Sequence, residues 1–161
     1  MKKEKEKEIE DDDLEFEVEE DEDKNKVYLQ THEKVSSDFS GEIVVHEKGY
    51  VKVRLTTTPE MLADDIGLIH GGFIFSAADY AAMVAVNEKN VVLVACDCQF
   101  LSPVKFHDEV NIIARVRHKE GRKRNVHVEG FVLDIKVFEG EFKTVVTDNH
   151  VLRLKLLDED K

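Results

Sequence analysis

The sequence holds only two cysteines, Cys96 and Cys98. Two cannot build a disulfide framework. No apolar run approaches the roughly 20 residues that span a bilayer. The opening segment MKKEKEKEIEDDD has charge but no apolar stretch of the kind a secretory signal needs. Positive charge is also scarce: 23 Lys and Arg stand against 35 Asp and Glu, a net charge of −12. Phosphate binding needs a clustered basic surface, so this balance argues against nucleic acid as a main partner. There is no internal repeat and no helix-turn-helix segment. These absences lead us to expect a reducing, cytoplasmic setting with no membrane partner.

What is present fits one domain. The chain has 161 residues and 42% apolar composition, enough to bury a real core. The acidic excess is uneven. Residues 1–26 hold 14 acids and 6 bases, whereas 27–161 hold 21 and 17. Residues 1–26 are expected to form an acidic arm that buries too little surface to offset its ordering entropy. Residues 27–161 are expected to form the folded domain.

From Val27 onward the pattern is strands around one helix. Glu42 to His46 and Tyr50 to Thr57 read as a hairpin turning at Glu47-Lys48-Gly49. Four further strand-like runs are Val91 to Leu101, Asp108 to His118, Lys123 to Phe138 and Glu141 to Leu156. Gly121 and Gly140 are expected to mark the turns between the last three, and Gly130 a bulge. Between the hairpin and these runs, Phe73 to Val86 is rich in alanine and too long for an ordinary strand. Only Ser76 and Asp79 are plainly polar in it. A helix apolar all round is buried on all sides. The expectation is an α+β fold, one long central helix wrapped by a curved antiparallel sheet of five to six strands.

Asp79 stands out, because an ionised carboxylate in such a helix is costly unless paired. It could be satisfied by an arginine, sit at a dimer seam, or do chemistry. Ser76, at i−3 on the same face, could hold it. The helix start stands out too. His70-Gly71-Gly72 sets two glycines where orphan amides point outward, and a helix N-terminus favours negative charge. Such a start can stabilise an oxyanion or simply be a tight turn. Asp79 lies about 12 Å along the helix axis from Gly71 at 1.5 Å per residue. One chain cannot bring both to one carbonyl. Two helices packed antiparallel across a two-fold axis could.

The pattern Gly67-x-x-His70-Gly71-Gly72-x-x-Phe75-Ser76-x-x-Asp79 resembles that of the hotdog-fold acyl-CoA thioesterases. The nearest type is the phenylacetate-pathway one, with the 4-hydroxybenzoyl-CoA thioesterases more distant. The resemblance covers roughly residues 40–156. It implies hydrolysis of a CoA thioester, in a homodimer or dimer of dimers. It assigns catalysis to Asp79, as general base or nucleophile, to the Gly71 amide, and to His70 and Gly72 beside it. No cofactor or metal is implied, coenzyme A being part of the substrate. One position departs from the motif: the family commonly carries asparagine six residues before the histidine, where this chain has Asp64. An ionised carboxylate there donates no hydrogen bond and sets negative charge near an anionic ligand.

Asp64 and Ser76 are therefore expected at the substrate. Arg122, Lys123 and Arg124 form the compact basic cluster of the domain, with His118 and His127 nearby. They could read the CoA phosphates or be a solvated turn. Cys96 and Cys98 share a strand face, have no second ligand pair at zinc spacing, and read as buried thiols. Two alternatives remain beside the enzyme: a non-catalytic acyl-CoA-binding sensor on the same fold, and, more weakly, a dehydratase.

Overall fold

The computed structural model describes residues 26–154, so the expectation for the acidic arm, residues 1–26, lies almost wholly outside the described residues. Six strands form one antiparallel sheet: β1 (Glu42–Glu47), β2 (Tyr50–Thr56), β3 (Val91–Phe100), β4 (Glu109–Glu120), β5 (Lys123–Val132) and β6 (Ile135–Val146). Their spatial order is β1-β2-β4-β5-β6-β3. A four-residue turn of helix, α1 (Ser37–Ser40), precedes the sheet, and the long helix α2 (Gly71–Val86) lies against it.

Period-two alternation builds the core. Val51, Val53 and Leu55 of β2, Val110, Ile112 and Ala114 of β4, Val126 and Val128 of β5, and Phe138 and Phe142 of β6 are all fully buried. They meet Ala77, Ala78, Ala81, Ala82, Met83 and Val84 of α2, which are equally enclosed. The alanines let the helix axis come close to the curved sheet. This is the α+β arrangement expected.

Asn87 ends α2 in the left-handed conformation, φ 50°, with its amide on the Met83 carbonyl. Its side chain also anchors the incoming chain. Oδ1 accepts from the Gln30 amide at 2.8 Å and Nδ2 donates to the Tyr28 carbonyl at 2.8 Å.

Two strand boundaries differ from expectation. The run starting at Lys123 does not continue to Phe138. It turns at Leu133-Asp134, with Leu133 at φ 53° and 88% exposed. An exposed leucine in a left-handed turn carries no sequence signal for a turn. Gly140, expected as that turn, lies inside β6 opposite Cys98. A Cβ there would stand 2.8 Å from the Cys98 Cβ and 3.1 Å from the Phe142 ring. Glycine is required because two strands and a ring approach, not because the chain bends. Gly140→Ala is expected to cost about 1–3 kcal/mol by overpacking, read as a Tm lower by about 2–4 °C per kcal/mol. An unchanged Tm would mean the strands move apart freely.

The last run also ends early, at Val146. A 3-10 turn, Val151–Arg153, follows, capped by His150, whose Nδ1 accepts from the Leu152 amide. The register shift at Gly130/Phe131 matches the bulge expected there.

Candidate functional site

The helix start is tied down by its loop. His70 donates its amide to the Met61 carbonyl at 2.9 Å, Ile69 to Val104 at 2.9 Å, and Phe106 to Gly67 at 2.8 Å. Asp64 organises the turn before it. Its Oδ1 accepts from the amides of Ile66 (2.9 Å), Gly67 (2.9 Å) and Leu68 (3.1 Å). These three donors hold the carboxyl below its ordinary value, since each favours the charged form.

The structure therefore gives Asp64 an occupation that the motif comparison alone did not: it accepts from its own loop rather than donating to a ligand. An asparagine Oδ1 could accept the same bonds. Asp64→Asn is expected to keep the wild-type Tm near pH 7, and Asp64→Ala to melt earlier. Equal melting of both would show that the loop does not depend on this cap.

His70 caps α2 with extended backbone, and its side chain makes no cap bond. The imidazole instead lies over Gly72, where a Cβ would meet Nε2 at 2.8 Å. Among the described residues, the amides of Gly71 and Gly72 make no hydrogen bond outside the helix. Gly71 opens into a cleft of about 320 Å³ lined by Leu68, Ile74, Phe100, Pro103, Val104 and neighbours. Phe100 stands at its wall, 54% exposed, and a Cβ on Gly71 would touch its ring at 3.3 Å.

Asp79 is not among the residues lining this cleft. It lies half-buried two turns further along α2, and its Oδ1 is buried with no hydrogen-bond partner among the described residues. Burial pushes this carboxyl above the ordinary range. Ser76 does not hold it. The Ser76 hydroxyl pairs instead with the Ser40 hydroxyl at 2.7 Å, because α1, which sequence patterning did not show, packs on that face of α2. Phe39 and Phe73 meet there as well, with centroids 6.0 Å apart.

Cys96 and Cys98 are free and half-buried. Burial first, then Cys98, Asp79 and Asp97, push the Cys96 thiol up to about 12. A thiol that resists ionisation is a poor nucleophile, so Cys96 does not rival Asp79 for chemistry.

The basic cluster is not one surface. The Arg124 guanidinium is turned onto its own hairpin, donating to the carbonyls of Gly121 at 2.7 Å and Lys123 at 3.0 Å. It is buried, because a hairpin turning at Gly121-Arg122 leaves carbonyls to satisfy. This corrects the expectation that Arg124 faces a ligand phosphate. Arg122 is exposed and ion-paired with Asp148, and Lys123 is exposed.

The protomer thus presents an open helix start beside a cleft and, two turns along α2, a half-buried acid whose Oδ1 has no hydrogen-bond partner among the described residues. The thioesterase superfamily profile matches residues 66–139, which include the helix start and Asp79. Acyl-coenzyme A thioesterase PaaI of Escherichia coli is 33% identical over 65% of this chain and 70% of its own length. A methylthioribose-1-phosphate isomerase of Aquifex aeolicus is 52% identical over 73% of this chain. The chain spans only about a quarter of that protein, 26% of its length. The crystal structure of a Pyrococcus horikoshii protein superposes with a TM-score of 0.77 at 40% identity, covering 78% of this chain and 97% of the other. The chain belongs to the thioesterase superfamily, and its central helix on a six-stranded antiparallel sheet is the hotdog fold.

Proposed function

We propose that the protein hydrolyses acyl-CoA thioesters at a site built from two protomers. The observation that carries this is Asp79, an acid in an apolar helix whose Oδ1 is buried with no hydrogen-bond partner among the described residues. A structural carboxylate in that position would be expected to have found a donor.

The Gly71 amide and the positive end of α2 would polarise the thioester carbonyl in one protomer. Asp79 of the facing protomer would take a proton from water, or attack the carbonyl itself. Collapse of the tetrahedral intermediate breaks the C–S bond; where Asp79 itself attacks, this leaves a mixed anhydride on Asp79, which water then hydrolyses. The acyl group leaves as a carboxylate and coenzyme A as its thiol, with one water consumed. The axial distance of about 12 Å between Gly71 and Asp79 rules out a site within one helix. β3 offers a route to pairing: it is one of the two sheet edges, and Val94 and Phe100 on it are 58% and 54% exposed.

No helix among the described residues is long and apolar enough to cross a membrane. Arg122 remains available to a CoA phosphate if it exchanges Asp148 for the ligand. Thiol release from a panel of short, long and aromatic acyl-CoA esters tests the reading, with turnover of at least one class expected. Binding of acyl-CoA without thiol release, in every class, would replace the enzyme with a sensor.

A further inference from the structure

The outer face of the sheet carries a second constellation. In β5, Val126 and Val128 point at α2 and are fully buried; His127 and Glu129 therefore point the other way. His127 lies directly opposite Glu141 of β6, and Glu129 opposite Glu139. Like charges placed opposite each other across a strand pair are destabilising, so Glu129 and Glu139 call for positive charge beside them, part of which Lys136 supplies.

The side chains are already turned toward one point. His127 is only 8% exposed. Its Nδ1 bonds the Glu141 carboxylate, and a carboxylate only accepts, so the proton sits on Nδ1. That leaves Nε2 as a lone pair when the ring is neutral. It faces Glu139 Oε1 at 3.3 Å and Glu129 Oε1 at 3.6 Å. The three ligand atoms all lie within 4.8 Å of one another.

Lys136 bridges the two carboxylates from one side only. Its Nζ holds the opposite oxygens, Glu129 Oε2 at 2.8 Å and Glu139 Oε2 at 3.4 Å, which keeps both Oε1 atoms toward the imidazole. Arg115 acts on Glu129 only through charge, and its guanidinium lies over the Tyr50 ring. A tetrahedral ion with bonds of about 2.0–2.1 Å spaces its ligand atoms roughly 3.3 Å apart. Carboxylate on the far nitrogen of a metal-binding imidazole is the usual orienting partner.

We infer that His127 Nε2, Glu129 and Glu139 form a binding site for a divalent zinc-class cation on the outer sheet face, with Glu141 orienting the imidazole and the fourth position left to water. The site joins β5 to β6 and lies on the face of the sheet away from α2, so its role is to clamp the strands. It is independent of the thioester chemistry. Sequence spacing does not reveal it, because the ligands come from facing positions on two strands.

The test titrates zinc chloride into the full chain by calorimetry and follows Tm. One equivalent is expected to bind, with Tm raised by about 5 °C or more at a hundredfold excess over Kd. His127→Gln and Glu139→Gln should each weaken binding at least tenfold. Glu141→Gln should weaken it about 10–100-fold, as loss of an orienting partner does. A Cys96→Ser/Cys98→Ser double variant should bind as wild type. Cobalt in place of zinc should show no thiolate charge-transfer band. Glu139→Gln carries the test if His127→Gln does not fold. No binding, unchanged binding in Glu139→Gln, or binding lost in the cysteine variant would each overturn the inference.

Discussion

Replacing Asp79 by asparagine is expected to lower kcat for acyl-CoA hydrolysis by a factor on the order of 10² or more, the scale of a lost general base. The substitution keeps the shape and removes the charge. Its effect on stability runs the other way. Burial raises the Asp79 carboxyl above its ordinary value, so the folded state holds that proton more tightly than the unfolded chain does. Stability from this group is fully present below the unfolded value of about 4, and is lost as pH rises through the higher folded value.

At pH 7 the wild type therefore carries the cost of a buried charge, and Asp79→Asn should melt at the same or a higher temperature. A lower Tm would mean that the carboxylate has a partner. The same shift sets the pH profile. The working form is the carboxylate, so kcat/KM should rise with pH through a value above about 4 and then level off. A wild-type rate already flat from pH 4 would contradict the desolvation argument.

The second large effect is expected at the helix start. Gly71 has ordinary helical backbone, so a larger residue is tolerated by the chain itself. A leucine side chain there must enter the cleft, since even its Cβ stands 3.3 Å from the Phe100 ring. It would cover the amide that is to meet the thioester oxygen. Loss of one oxyanion donor costs about 10²–10³ in kcat, and Gly71→Leu should lose at least that much in kcat/KM. Melting should change little, because glycine is a poor helix former and its replacement favours α2. Wild-type turnover in this variant would remove the helix start from the chemistry.

Much of this was legible in the chain. Alanine content and length marked α2, and alternation marked the strands that feed the core. Asp79 was legible because it is the one acid in an apolar helix. Three features were not. The β5–β6 turn was hidden because Leu133 supplies a left-handed φ without being glycine, while Gly140 supplies space rather than a bend. The Ser76 partner was hidden because Ser40 lies 36 residues away, on a helix of one turn. The imidazole and carboxylates on the outer sheet face were hidden because strand register, not local spacing, brings them together. Asp64 is a milder case. Its departure from the motif looked like a change at the ligand, whereas its Oδ1 serves the loop.

The claim that matters most is that each site takes the Gly71 amide from one chain and Asp79 from another. Mixing the two inactive variants, Asp79→Asn and Gly71→Leu, tests it directly. After subunit exchange, with mixed dimers verified by mass, each mixed dimer would hold one site with both lesions and one with neither. Half the dimers would be mixed, so thiol release should recover to roughly a quarter of the wild-type rate. If mixed dimers form and the mixture stays as inactive as its parents, the glycine and the aspartate do not meet across the seam, and the shared-site account is wrong.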